Sequence, residues 1–211
     1  MKKTALIAGA TGAVGNHLLT LLLNSEDYEK IVYVGRRSLP DHPKIEQMIH
    51  PAEKWSELEL TNSIDVAFCC LGTTIKQAGS KEAFKKVDYQ AVLDIAELAR
   101  HSGSQHFAVI SSAGVDGKLP GFYLEVKREM EVGLRALNFQ GLQLFRPSLL
   151  KGERSEFRLA ESAAELFFRV FSPLIPRQLL PVSTHSVAQS MLQQSFSNEF
   201  GIKIISRKEM D

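Results

Sequence analysis

The stretch Thr4-Ala5-Leu6-Ile7-Ala8-Gly9-Ala10-Thr11-Gly12-Ala13-Val14-Gly15 constrains the fold more than any other part of the sequence. An apolar run of strand length meets a turn punctuated by glycine, and an apolar-periodic segment of helix length follows at once. Gly9 and Gly12 can adopt backbone conformations closed to residues with a Cβ, and they let the chain come close to a pyrophosphate. Gly15 lets the helix pack tightly on the sheet. The helix that begins near Ala13 aims its N–H groups and its positive dipole end at the occupant of the turn, which favours a phosphate. Gly9, Thr11, Gly12, Ala13, Val14 and Gly15 are therefore candidate dinucleotide-binding residues. Their spacing is G-x-x-G-x-x-G rather than G-x-G-x-x-G, so other junctions must decide what the turn serves.

Apolar runs alternate with helix-length periodic stretches almost from end to end, which predicts an α/β fold: a Rossmann-like, doubly wound, mostly parallel sheet with helices on both faces. The expected strands are Ala5–Ala8, Ile31–Val34, Ile45–Ile49, Val66–Leu71, Phe107–Ser111, Leu142–Phe145 and Ile202–Ile205. Val14–Leu23, Glu82–Ala99, Tyr123–Leu137, Ala160–Phe171 and Val187–Phe196 read as helices. Ser80 is an expected N-cap and Gly103 a terminator. With 211 residues, 44% of them hydrophobic, the chain can bury one good core, which predicts a single domain over 1–211. Within it, Pro173, Pro176 and Pro181 break the rhythm at about 152–181, and Phe167, Phe168 and Phe171 crowd a short helix. This insertion reads either as a cover on the substrate side or as core or homodimer contact.

The 25 basic residues nearly balance the 24 acidic ones, so no net field recruits nucleic acid or an anionic membrane. No apolar run approaches membrane-spanning length, and Lys2-Lys3 with the short run behind it reads as a strand rather than a secretory leader, which predicts a cytoplasmic protein. Cys69 and Cys70 are adjacent in an apolar run, a pattern of small core residues rather than of a disulfide or a zinc site. The six histidines show no ligand spacing, so no metal is expected, and His185 near a helix start is the one to watch.

Chemistry-bearing residues fall at the strand ends. The second strand runs into Arg36-Arg37, where a carboxylate would suit the ribose of NAD and guanidinium groups suit a 2′-phosphate, which favours NADP(H). The fourth ends in Leu71-Gly72-Thr73-Thr74, whose glycine and hydroxyls can meet the cofactor. The fifth ends in Ser111-Ser112-Ala113-Gly114. Tyr123 and Lys127 follow at helical i and i+4, so phenol and ammonium share a face. An adjacent ammonium stabilises a phenolate, Tyr123 can then supply a proton to a carbonyl, and Ser112 can bond the carbonyl oxygen while Lys127 holds the nicotinamide ribose. After the sixth strand, Pro147 can shape the wall beside the nicotinamide. Arg146 either meets substrate or pairs with a carboxylate of the fold. No G-x-S-x-G elbow supports hydrolase chemistry.

Together these residues resemble the atypical branch of the short-chain dehydrogenase/reductase superfamily. Phe68-Cys69-Cys70-Leu71-Gly72-Thr73-Thr74, Val109-Ile110-Ser111-Ser112, Tyr123-Leu124-Glu125-Val126-Lys127 and Phe145-Arg146-Pro147 are similar to the oxidoreductases related to the Tat-interacting protein. The resemblance implies a fold that binds NADPH, with Ser112, Tyr123 and Lys127 as the catalytic set and Ser111 as the alternative serine. It implies an NADPH-dependent reductase of a small carbonyl substrate; the alternatives are a cofactor-sensing regulatory protein without turnover and an epimerase or dehydratase that retains its cofactor. The sequence also departs from that pattern. His50-Pro51-Ala52-Glu53 lacks the Asp-Val pair that many relatives carry near the adenine, and Asp88-Tyr89-Gln90 offers no clear counterpart of the superfamily asparagine.

Overall fold

The computed structural model describes residues 2–117, 120–151, 180–197 and 199–210. Its central strand, β1 (Lys3–Ala8), shows why the sheet is covered on both sides. Alternate side chains leave a strand on opposite faces. Ala5 and Ile7 enter one core with Tyr28, Phe68 and Phe145, whereas Leu6 and Ala8 enter a second with Val32, Val109 and Leu144. The first core is closed by α1 (Ala13–Asn24), whose Val14, Leu18, Leu19 and Leu22 repeat at helical spacing. The second is closed by α4 (Ala91–His101) and α5 (Phe122–Ala136), through Val92, Ile95, Ala96, Met130 and Leu134.

Among the described residues the remaining strands of this sheet are β2 (Tyr28–Gly35), β3 (Ile45–Ile49), β4 (Val66–Cys69), β5 (His106–Ile110), β6 (Gly141–Arg146) and β9 (Gly201–Ser206). They lie in the order β3-β2-β1-β4-β5-β6-β9 with every pair parallel. The order reverses between β1 and β4, so a crevice opens above their carboxyl ends, where open α/β sheets bind ligands. All seven expected strands are present; Ile45–Ile49 coincides with the expectation and no end of the others shifts by more than three residues.

Between β4 and α4 lie α2 (Ile75–Ala78) and α3 (Lys81–Lys85), and α3 opens on Ser80, whose Oγ accepts the Ala83 N–H as expected of an N-cap. The helix expected over Glu82–Ala99 is interrupted by a π-helical turn at Lys86–Gln90, where the Ala91 N–H reaches back five residues to the Lys86 carbonyl. Gly103 follows α4 in the left-handed region at φ 89°. The C-terminal helix, α6 (Thr184–Gln194), starts three residues before the expected one and packs on α1. Cys69 and Cys70 diverge, Cys69 into the second core and Cys70 against the first. Ala160–Phe171, Phe167, Phe168, Pro173 and Pro176 lie outside the described residues. The chain on either side of them is held together by the short parallel pair β7 (Leu150–Lys151) and β8 (Val182–Ser183).

Candidate functional site

The glycine turn is built by close backbone approach. Gly9 sits at φ 81°, and a Cβ there would lie 2.6 Å from the carbonyl of Cys70, just past the end of β4. A Cβ on Gly15 would lie 2.1 Å from the Gly9 carbonyl oxygen, closer than any real contact allows. The two glycines thus lock β1, β4 and α1 into one corner. Gly12 is the N-cap of α1 and offers no side-chain acceptor, and the first turn carries no acidic residue. The N–H groups at Ala13 and Val14 therefore open a helix whose positive end has no built-in anion, and a pyrophosphate fits there.

At the end of β2, the buried Tyr33 donates its phenol to the carbonyl of Arg37 at 2.9 Å, and Arg37 Nη2 donates to Thr11 Oγ1 at 3.0 Å. Arg37 is thereby held across the glycine turn, while Arg36 is exposed beside it. No carboxylate occupies Val34–Ser38. On the far side, His50 uses its carbonyl to accept the indole N–H of the buried Trp55 at 3.1 Å, so that segment serves packing.

Beyond β5 the two serines separate. Ser111 is buried and donates to Glu131 Oε1 at 2.6 Å, whereas the half-buried Ser112 donates, among the described residues, to the neighbouring Ala113 carbonyl at 3.2 Å. The pairing of β5 with β6 continues past the strands: Ser111 N–H donates to Phe145 O and Ala113 N–H to Pro147 O. This fixes the Ser112 backbone and seats the buried Pro147 at the same rim. Arg146 serves the fold. It donates from Nε and Nη2 to Glu131 at 2.9 and 2.6 Å and pairs outward with Asp116. Its guanidinium, the main hydrogen-bond partner of Asp116, holds that carboxyl below the usual range.

Tyr123 and Lys127 occupy successive turns of α5. The Tyr123 ring is 38% exposed and packs on the buried Phe84 at 5.7 Å between centroids. Lys127 is 3% exposed, with its Nζ 2.8 Å from Asp88 Oδ1 and 3.4 Å from the Ile110 carbonyl. Burial alone would lower its pKa, but the charge of Asp88, with smaller help from Tyr123 and Cys69, leaves it raised. The second Asp88 oxygen accepts the Thr73 N–H at 2.9 Å, and Gly72 passes directly above the carboxylate. Leu71, Gly72 and Thr73 are thus tied to the Lys127 face. Sequence reasoning missed Asp88, although Phe84, Asp88, Val92 and Ile95 share one apolar stripe in which an acidic residue stands out. Glu131 was missed as well.

Thus Thr11 is joined to Arg37 beside the glycine turn, the Ser112 backbone lies between residues paired to the chain at Pro147, and Thr73 is joined through Asp88 to Lys127, one helical turn from Tyr123. Among the described residues no group of three or more His, Cys, Asp or Glu side chains could hold a metal, and no helix is long and apolar enough to cross a membrane.

Comparison with known proteins agrees with this fold. A model of the NAD dependent epimerase/dehydratase family matches residues 5–132. Protein HTATIP2 of Rattus norvegicus is 38% identical over 171 residues, covering 79% of this chain and 70% of its own. Protein fmp52, mitochondrial, of Emericella nidulans is 37% identical over 175 residues, covering 79% and 75%. Among solved structures, MoeE5 in complex with UDP-glucose and NAD superposes with a TM-score of 0.72 at 17% identity, over 98% of this chain and 79% of that one. The fungal relatives correct one expectation. They carry mitochondrial in their names, which overturns the reading of a cytoplasmic protein.

Proposed function

The chain belongs to the NAD dependent epimerase/dehydratase family and is an NAD(P)-dependent enzyme of oxidoreductase type, and from that premise we propose that it oxidises and re-reduces a carbinol carbon of one substrate within a single turnover, as an epimerase or dehydratase that retains its cofactor. The family match carries the choice of a closed redox cycle. The glycine turn, the N-terminus of α1 and Arg37 would hold a nicotinamide dinucleotide, which when bound would supply hydride uptake and return. The residues of the chain do the rest. Ser112 holds the substrate oxygen by its hydroxyl, and Tyr123 takes the hydroxyl proton onto its phenolate oxygen as the carbon is oxidised and gives it back on reduction. Lys127 follows one helical turn on along α5. Gly9, the N-terminus of α1 and Arg37 hold the phosphates.

The test is the nucleotide content of the purified protein. Release of about one nicotinamide dinucleotide per chain on denaturation supports the closed cycle. A protein that purifies empty and consumes NADPH against small carbonyl compounds overturns it in favour of net carbonyl reduction. The arginines at the end of β2 favour that second reading, because they suit NADP(H), the usual donor in net reduction. On this reading Arg36→Asp shifts preference from NADPH toward NADH by about tenfold or more, for loss of one phosphate–guanidinium pair. An unchanged preference removes the argument for NADP(H).

A further inference from the structure

We propose that Asp88 is a positioning residue for Lys127, its carboxylate holding the ammonium charged and aimed in the site and tying it to the loop that leaves β4. This rests on the assignment of Lys127 to the cofactor and substrate site made above.

The geometry is specific. Asp88 is 1% exposed and Lys127 3% exposed, and the two meet at 2.8 Å. A carboxylate removed from water needs both oxygens satisfied, and here one takes the ammonium and the other the Thr73 N–H. Of the three ammonium donors, one is committed to Asp88 and one points at the Ile110 carbonyl, which restricts where the third can reach. The position comes from the π-helical turn at Lys86–Gln90, which inserts a residue into an otherwise continuous helix and sets Asp88 on the buried face opposite α5.

The other titratable groups facing Lys127 cannot replace it. They are Tyr123 on its own helix and the Cys69 thiol of β4, which burial pushes up to about 12 and so keeps neutral. Asp88 is the carboxylate among them. Without it, an ammonium buried this deeply loses charge at a lower pH. The loop Gly72-Thr73 loses its tie to α5 at the same time.

The experiment is a pH titration by NMR of protein carrying 13Cε-lysine, with the Lys127 signal identified by its absence from Lys127→Met. In the wild-type protein Lys127 keeps its charge past the ordinary lysine value of 10.5. In Asp88→Asn its midpoint falls by about one unit or more. A wild-type midpoint at or below the ordinary value overturns the proposal even if the variant fails to fold, and so does a variant midpoint equal to that of the wild type. NADPH binding is measured alongside. Asp88→Asn binds more weakly, and the deficit grows about tenfold between about pH 7 and the discharge of Lys127, whereas Lys127→Met is weak at every pH. Wild-type affinity in Lys127→Met, with the titration coupling intact, overturns the placement of Lys127 at the cofactor and with it the positioning role of Asp88.

Discussion

Gly15 and Tyr123 sit a few residues from the same crevice and fail in opposite ways when changed. A methyl group on Gly15 meets the Gly9 carbonyl oxygen at 2.1 Å, with backbone on both sides and no flexible side chain to yield. Gly15→Ala therefore loses about 3 kcal/mol, the upper part of the range for overpacking, in urea denaturation, and binds nucleotide poorly because α1 is pushed off its corner. Gly12→Ala, whose Cβ would sit 3.2 Å from the same oxygen, costs less, and equal losses would contradict this account. Tyr123→Phe keeps the ring that packs on Phe84 and removes only the phenol oxygen. Its stability and cofactor affinity stay at wild-type levels while turnover falls by about 10² or more. Undiminished turnover in that variant refutes proton transfer through Tyr123.

Elements meet at Glu131, which binds the end of β5 through Ser111 and the end of β6 through Arg146 from its seat on α5. Glu131 is 2% exposed and Arg146 7%, so removing one partner strands a buried charge. Glu131→Gln should lower stability by about 3 kcal/mol in chemical denaturation and reduce turnover with it, because Ser112 sits on the strand end that Glu131 fixes. A loss below about 1 kcal/mol would mean that Asp116 alone satisfies Arg146. Arg128 adds a second hold on the same region, donating to the carbonyls of Val115 and Gly117 at 3.0 Å each. Ala113, Val115 and Gly117, just after Ser112, are thus braced from α5 and from the chain leaving β6.

Across the whole molecule, the alkaline limb of stability reports on how dry the first core is. Tyr28 is fully buried, donates to Ser195 Oγ at 2.7 Å, and is pushed by desolvation from 10.0 up to about 12. Above pH 10.0 the unfolded chain loses this proton and the folded one keeps it, so the unfolded state binds fewer protons and stability falls until about pH 12, with this phenol contributing about 2–3 kcal/mol beside the buried Cys69 and Cys70 thiols, which burial also pushes up. Tyr28→Phe makes that limb shallower between about pH 10 and 12 even as it gives up the Ser195 bond, the Cys69 and Cys70 thiols keeping the rest of the slope, and a slope identical to wild type would refute the phenol's share. The strands and the glycine turn were legible in the sequence because each depends on local spacing: Ala5 to Ala8 alternate between two cores whatever lies beyond them, and Gly9 to Gly15 fix a turn within seven residues. Tyr123 and Lys127 were legible for the same reason, being one helical turn apart. Asp88 and Glu131 were not, since a carboxylate on an apolar helical stripe acquires meaning only from the ammonium or guanidinium packed against it from another element. The sequence by itself determined the alternation of strand and helix, the phosphate-ready turn and the spacing of phenol and ammonium, all set by short-range backbone geometry and periodicity. Which serine keeps its hydroxyl outside the buried network, what Arg146 does and what holds Lys127 charged were decided by the tertiary structure alone, because the energy of a buried charge depends on partners 15 to 39 residues away in the chain that only the closed sheet brings within hydrogen-bond distance.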